Sequence, residues 1–187
     1  MSGQPEPWLR GTHTDIPAVI RGVVHALELC REDVDAACAG LTDEQMHARP
    51  AEIASLAFHL RHIVGSLDRL LTYAEGRQLS AEQVAILKSE QEARGSRAEL
   101  LGQFYRGIED AMRRVQAFSG ADLEQPRQVG RKALPTTVGG LLVHCADHTL
   151  RHTGQAVTTA KLIRAGGQVE AAATLAKTWG TAANNRC

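Results

Sequence analysis

Apolar residues recur along this chain at steps of three and four over four long spans, and no span alternates with period two. The first runs from Asp15 to about Ala39, with Ile16, Val19, Val23, Leu27 and Cys30 on one face and Gly40 as its stop. A second begins after Pro50 and reaches Gly76. Ile53, Leu56, Leu60, Ile63, Leu67 and Leu70 form its apolar stripe, and Ser55, His59, His62, Ser66, Arg69 and Tyr73 an adjoining polar one. Two stripes on one helix predict two different neighbours, core on one side and a cavity on the other.

The third span covers residues 97 to about 118 and is closed by Gly120. The fourth, Val138 to Arg164, has Thr137 as a cap and Gly166 and Gly167 as its end. Between these lie shorter signals. Thr42 with Gln45, Ser80 with Gln83 and Ser96 with Glu99 have the spacing of capping boxes, and the second of these predicts a short helix near 81–91. Residues 121–136, with two prolines, a glycine and three cations, read as an ordered loop overhanging the site, and residues 167–187 as a weak helix around Trp179 or a frayed end. Four long helices in 187 residues predict an all-α four-helix bundle with short additional helices, one domain over 1–187 with its core at about 15–166.

The fourth helix changes the picture from fold to chemistry. Its expected seam, Leu141, Cys145, His148, His152, Gln155, Thr159 and Leu162, turns polar in the middle. Imidazoles turned inward need hydrogen bonds or a metal. His148 and His152 stand one turn apart and can converge on one ion, with His144 a turn earlier on the flank. A third ligand is available from the H-x-x-H pair of the second helix, where geometry alone leaves His59 and His62 both open. His13, His25 and His47 stand apart in the sequence.

Composition narrows the alternatives. Lysine plus arginine and aspartate plus glutamate balance at 21 each, and aromatics make up 4%, so neither a basic field nor stacking platforms point to nucleic acid or anionic lipid. No apolar run reaches the ~18 residues of a membrane span, and the first residues lack the pattern of a signal peptide. The four cysteines show no paired spacing, which suits a reducing compartment, so free thiols and a cytoplasmic location are expected. The carboxylates of H-E-x-x-H and di-iron motifs, a phosphate loop and a G-x-S-x-G elbow are all missing. Cys145 reads first as a small buried hydrophobe. Arg69, Arg151 and the Arg127, Arg131, Lys132 group are cations that could receive a carboxylate.

Two segments, SLAFHLRHIVGSLDRLLTYAEG, with a serine seven positions before His62, and DHTLRHTGQ around His148 and His152, resemble the DinB-like family of metalloenzymes over nearly the whole chain. The resemblance implies a four-helix bundle holding one divalent ion, commonly zinc or nickel, through His62, His148 and His152. It gives His59 and His144 supporting places near that ion, and Arg69, on the histidine stripe, and Gln155, on the seam, are further candidates beside it. It also implies a reaction class, since such relatives include thiol S-transferases and isomerases using bacillithiol, mycothiol or glutathione. The leading expectation is a metal-dependent enzyme joining a low-molecular-weight thiol to an electrophilic small molecule. The alternatives are a metal-dependent hydrolase and a stress-related bundle with a structural metal. Alanine-rich helix faces permit a homodimer.

Overall fold

A computed structural model describes the backbone of residues 4–92 and 94–183 and the side chains of residues 4–92 and 94–166. The chain is an all-α four-helix bundle with short additional helices. The long helices are α1 (Ala18–Cys38), α3 (Leu56–Ala74), α5 (Arg97–Gln116) and α6 (Val138–Ala183), and the short ones α2 (Asp43–His47) and α4 (Ala81–Ser89). All three capping boxes form, with Gln45, Gln83 and Glu99 returning their side chains to the cap residues. Each satisfies helix-end N–H groups that would otherwise lack partners.

One cluster of buried side chains joins the four long helices, among them Leu27, Leu60, Ile63, Phe104, Ile108 and Leu142. Each large aliphatic group removed from water in this way contributes roughly 1.5–3 kcal/mol. Helices α1 and α3 each pack against both α5 and α6, so α1 and α3 lie on one diagonal and α5 and α6 on the other. Cys30 beside Thr153, and Arg164 bonded to the Ala37 carbonyl, set α1 parallel to α6. Thr159 bonded to the Ala54 carbonyl, with His148 beside His62 further along, sets α3 antiparallel to α6. Arg114 paired with Asp68, and Val64 beside Gly107, set α5 parallel to α3.

Two consecutive long helices that run parallel need a connection that travels back along the bundle. Residues 75–96, which include α4, make that return. Gln83 bonds Asp68 and Thr72, and Arg61 then bonds the Glu92 carbonyl, so the segment runs antiparallel to α3.

Several expectations are corrected. The second long helix starts at Leu56, not just after Pro50, because Ala51 and Glu52 have φ of 50° and 63°, outside the helical range. Ser55 therefore caps that helix, its Oγ accepting from the Phe58 N–H at 3.2 Å, and Ile53 lies exposed before it. On α1 the core residue is Ile20 and Val19 faces outward. Gly166 and Gly167 do not end α6, which continues through Trp179 to Ala183. Glycine permits a stop without imposing one, and the alanine-rich stretch beyond favours helix. Residues 184–187 of the expected tail lie outside the described residues.

The seam of α6 is also rotated from the expected one. Its buried positions are Val138, Leu141, Leu142, Cys145, Thr149, Thr153, Ala156, Thr159, Ala160 and Ile163, so Leu141, Cys145 and Thr159 of the expected seam do face inward, while Gln155 and Leu162 are exposed and His148 and His152 half-buried beside it. Threonines can fill this seam because they bond locally, as Thr153 does to the Thr149 carbonyl at 2.8 Å.

The expected loop at 121–136 contains an antiparallel hairpin, β1 (Pro126–Val129) with β2 (Leu134–Thr137), paired Pro126 to Thr137 through Val129 to Leu134. A strand of four residues is too short for a period-two pattern to stand out. Arg127 donates to the Ala74 carbonyl at 2.7 Å, so the hairpin sits at the C-terminal end of α3. Ala74 is twelve residues beyond His62, about 18 Å at 1.5 Å per residue, so the hairpin does not overhang the histidines.

Candidate metal centre

Facing His62 on α3 are His148 and His152, successive turns of the antiparallel α6. One ring nitrogen from each of the three residues lies within 4.8 Å of the others. Nε2 of His62 is 3.0 Å from Nε2 of His148. The ring centroids of His62 and His152 are 4.4 Å apart and those of His148 and His152 are 4.7 Å apart. Two imidazole nitrogens bound tetrahedrally at ~2.05 Å sit about 3.3 Å apart, so the spacing fits a single ion after small side-chain adjustments.

The proton inventory also fits. Nitrogens 3.0 Å apart share one proton at most, so the rings of His62 and His148 cannot both point N–H groups at each other. Burial, reinforced by the neighbouring His152 and His62, pushes His148 down to about 4. Burial and the charge of His62 likewise lower His152. Neutral imidazole is the form that binds a metal.

Each of two rings is oriented from behind. Oε2 of Glu90 lies 2.7 Å from Nδ1 of His62, and Phe58 stacks on the same ring with centroids 5.2 Å apart. Nδ1 of His59 lies 3.2 Å from Nδ1 of His152. A ring held at Nδ1 presents Nε2, which is how outer partners set the tautomer of a ligand histidine. His59 is buried and pushed down to about 4 by that burial and then by His152 and His62, so it is a neutral partner.

Glu90 is a candidate site residue that sequence reasoning misses. It is 3% exposed, and its other oxygen accepts from Arg69 at 2.7 Å. Burial raises its proton affinity, but the hydrogen bonds from His62 and Arg69 outweigh this and hold its carboxyl below the usual range. Gly65 makes room for the pair, since a Cβ there would stand 2.6 Å from Oε1 of Glu90 and 2.9 Å from Arg69. Arg61 clamps the same segment by donating to the carbonyls of Glu92 and Arg94. In the sequence Glu90 is one acidic residue of a polar stretch, and only the return of residues 75–96 brings it to His62.

The remaining candidates take distinct places. Arg69 serves Glu90. His144 is exposed, its ring 5.6 Å from that of His148. Gln155 is exposed one turn beyond His152. Cys145 is buried in the apolar core, which pushes its thiol up to about 12. Arg151 pairs with Asp147 on the surface, while Arg127, Arg131 and Lys132 belong to the distant hairpin region. A cleft of about 610 Å³ lies between α3, α4 and α5, lined by Glu90, Arg69, Arg61 and Arg114 among others; no histidine of the triad lines it.

The profile of the DinB superfamily matches residues 26–156, a stretch that includes all three histidines. The chain belongs to the DinB superfamily. Among solved structures it is similar to a conserved protein from Enterococcus faecalis, at 20% identity and a TM-score of 0.57, over 76% of this chain and 95% of that one. That likeness is one of fold. No curated protein gives a significant sequence match. Among the described residues no helix is long and apolar enough to cross a membrane.

Proposed function

We propose that His62, His148 and His152 hold one divalent ion, zinc or nickel, and that the protein transfers a low-molecular-weight thiol to a small electrophile. The observation that carries this reading is the convergence of three ring nitrogens within 4.8 Å, two of the rings fixed from behind by Glu90 and His59. A divalent ion bound by three neutral nitrogens keeps its double charge and supplies Lewis acidity that lowers the pKa of a thiol or water.

The chain's own residues do the rest. His148 and His152 stay unprotonated at neutral pH because of burial, with His62 and Arg151 acting in the same direction on both. Glu90 holds Nδ1 of His62, and Arg69 fixes Glu90, so that ring cannot turn away. Exposed His144 stands beside the triad, where it can meet a substrate. The buried core position of Cys145 favours a three-ligand site over one closed by a fourth protein ligand, and structural zinc sites are normally four-coordinate. A reducing cytoplasm would keep the thiol co-substrate available.

Cobalt-substituted protein tests the reading, because a sulfur ligand adds a near-ultraviolet charge-transfer band. The band is expected only on adding bacillithiol, mycothiol or glutathione, in wild type and in Cys145→Ser alike, with turnover of a generic electrophile by the same thiol. A band present without added thiol and lost in Cys145→Ser would defeat the transferase reading. Hydrolysis with no thiol dependence would instead favour the hydrolase.

A further inference from the structure

His13, His25 and Glu28, which stand apart from the triad in the sequence, come together where the N-terminal segment crosses α1. His25 and Glu28 are three residues apart on α1 and so share a face. His13 reaches them from the preceding segment, and one donor atom of each residue lies within 4.8 Å of the others. Nε2 of His13 is 2.8 Å from Oε1 of Glu28, and the His13 and His25 ring centroids are 5.7 Å apart. The Thr12 hydroxyl lies 3.1 Å from Nε2 of His25, which fixes the plane of that buried ring.

Two features separate this group from an ordinary surface ion pair. His25 is 3% exposed, whereas a histidine–glutamate pair needs no third, buried imidazole beside it. His13 has a φ of 57°, a left-handed conformation that non-glycine residues seldom adopt and that concentrates at ligand-holding positions. The side-chain carboxylate that Arg10 hydrogen-bonds is that of Glu32, both oxygens at 2.6 and 2.8 Å, and not that of Glu28.

We propose that His13, His25 and Glu28 form a second divalent-metal site, a clip for zinc or nickel that ties the N-terminal segment to α1. Two imidazoles and one carboxylate are a donor set for borderline divalent ions. Donors bound at ~2.1 Å sit about 3.0–3.4 Å apart, so His13 and Glu28 already have nearly the required separation, and the His25 donor lies within 4.8 Å of both. On binding, the ion takes the place of the hydrogen between His13 and Glu28, and a neutral His13 then carries its one N–H on the other ring nitrogen. The clip uses none of the triad's residues.

The test is a cobalt titration of the full chain after metal removal, followed by visible absorption, on wild type, His148→Ala, Glu28→Gln, His13→Ala and the His148→Ala/Glu28→Gln double variant. Wild type is expected to bind two equivalents, each single variant one and the double variant none. Cobalt should also slow tryptic cleavage after Arg10 in wild type and His148→Ala, but not in Glu28→Gln or His13→Ala. Both clip substitutions are at partly exposed side chains, and circular dichroism checks that each variant keeps its helices. Two equivalents retained in Glu28→Gln and His13→Ala, or none in His148→Ala, would overturn the clip. One equivalent in wild type, lost in His13→Ala and kept in His148→Ala, would support the clip and defeat the triad reading instead.

Discussion

Oε2 of Glu90 lies 2.7 Å from Nδ1 of His62 while the Nε2 of that ring faces His148, so a carboxylate on the crossover sets the tautomer of a histidine on α3. Partners in this position typically contribute 10–100-fold to metal affinity. Glu90→Gln should therefore weaken metal binding by about that factor, measured by competition with a chelating dye. It should also lower the melting temperature, because it leaves the buried Arg69 without its counter-charge. Unchanged affinity would mean that Glu90 only anchors the crossover.

His59 and His62 are one turn apart on α3, and the structure gives them different places. Only the nitrogen of His62 falls within the 4.8 Å grouping, and His59 backs His152. His62→Ala, like His148→Ala or His152→Ala, is expected to lose the triad's stoichiometric metal. His59→Ala should keep it at lower affinity. Metal analysis of the purified variants decides, and the reverse pattern would show that the ligand register is wrong.

Gly107 on α5 lets Val64 of α3 approach closely, since a Cβ at 107 would stand 2.6 Å from two carbons of that branched side chain. Alanine in a helix is ordinarily favoured over glycine by up to ~1 kcal/mol. Here the clash reverses the sign, and Gly107→Ala should lose about 1–3 kcal/mol to overpacking, read from urea unfolding. A stabilised variant would show that α3 and α5 can separate freely.

Burial pushes the Cys30 and Cys145 thiols up to about 12 and that of Cys38 up to about 11. All three are buried free cysteines, so at pH 8 they should resist alkylation in the native protein and react once it is unfolded in denaturant, followed by mass spectrometry. The sign of the pH dependence follows. A folded-state pKa above the unfolded value gives stability that is complete below about pH 9 and is lost as the pH rises towards 12. Melting temperature should accordingly fall over that alkaline range, and less steeply in Cys30→Ala than in wild type. An equal slope would leave the Cys30 thiol with no part in it.

Much of the fold was legible because helices announce themselves locally. Hydrophobic period, capping boxes and stop residues are all written within a few positions of the elements they define, and the three boxes at Thr42, Ser80 and Ser96 formed as their spacing implies. The departures occur where local signals are weak. Two glycines failed to stop α6, four-residue strands left no period, and the α6 seam turned so that threonines face the core.

By itself the sequence determined the helical class, the family resemblance and the pairing of His148 with His152, because one helical turn sets that relation without help from the rest of the chain. It left the third histidine to resemblance and left Glu90 unread, because a residue's distance from the site along the chain says nothing of where a crossover returns. It also left His13 and His25 standing apart and Glu28 unread. Tertiary structure decided these matters through the parallel course of α3 and α5, which forces residues 75–96 back along the bundle and brings Glu90 to His62. It did the same at the N-terminus, where a segment folded over α1 puts His13 beside Glu28. Proximity between distant segments is fixed by which apolar faces bury together, and that is a property of the packed molecule.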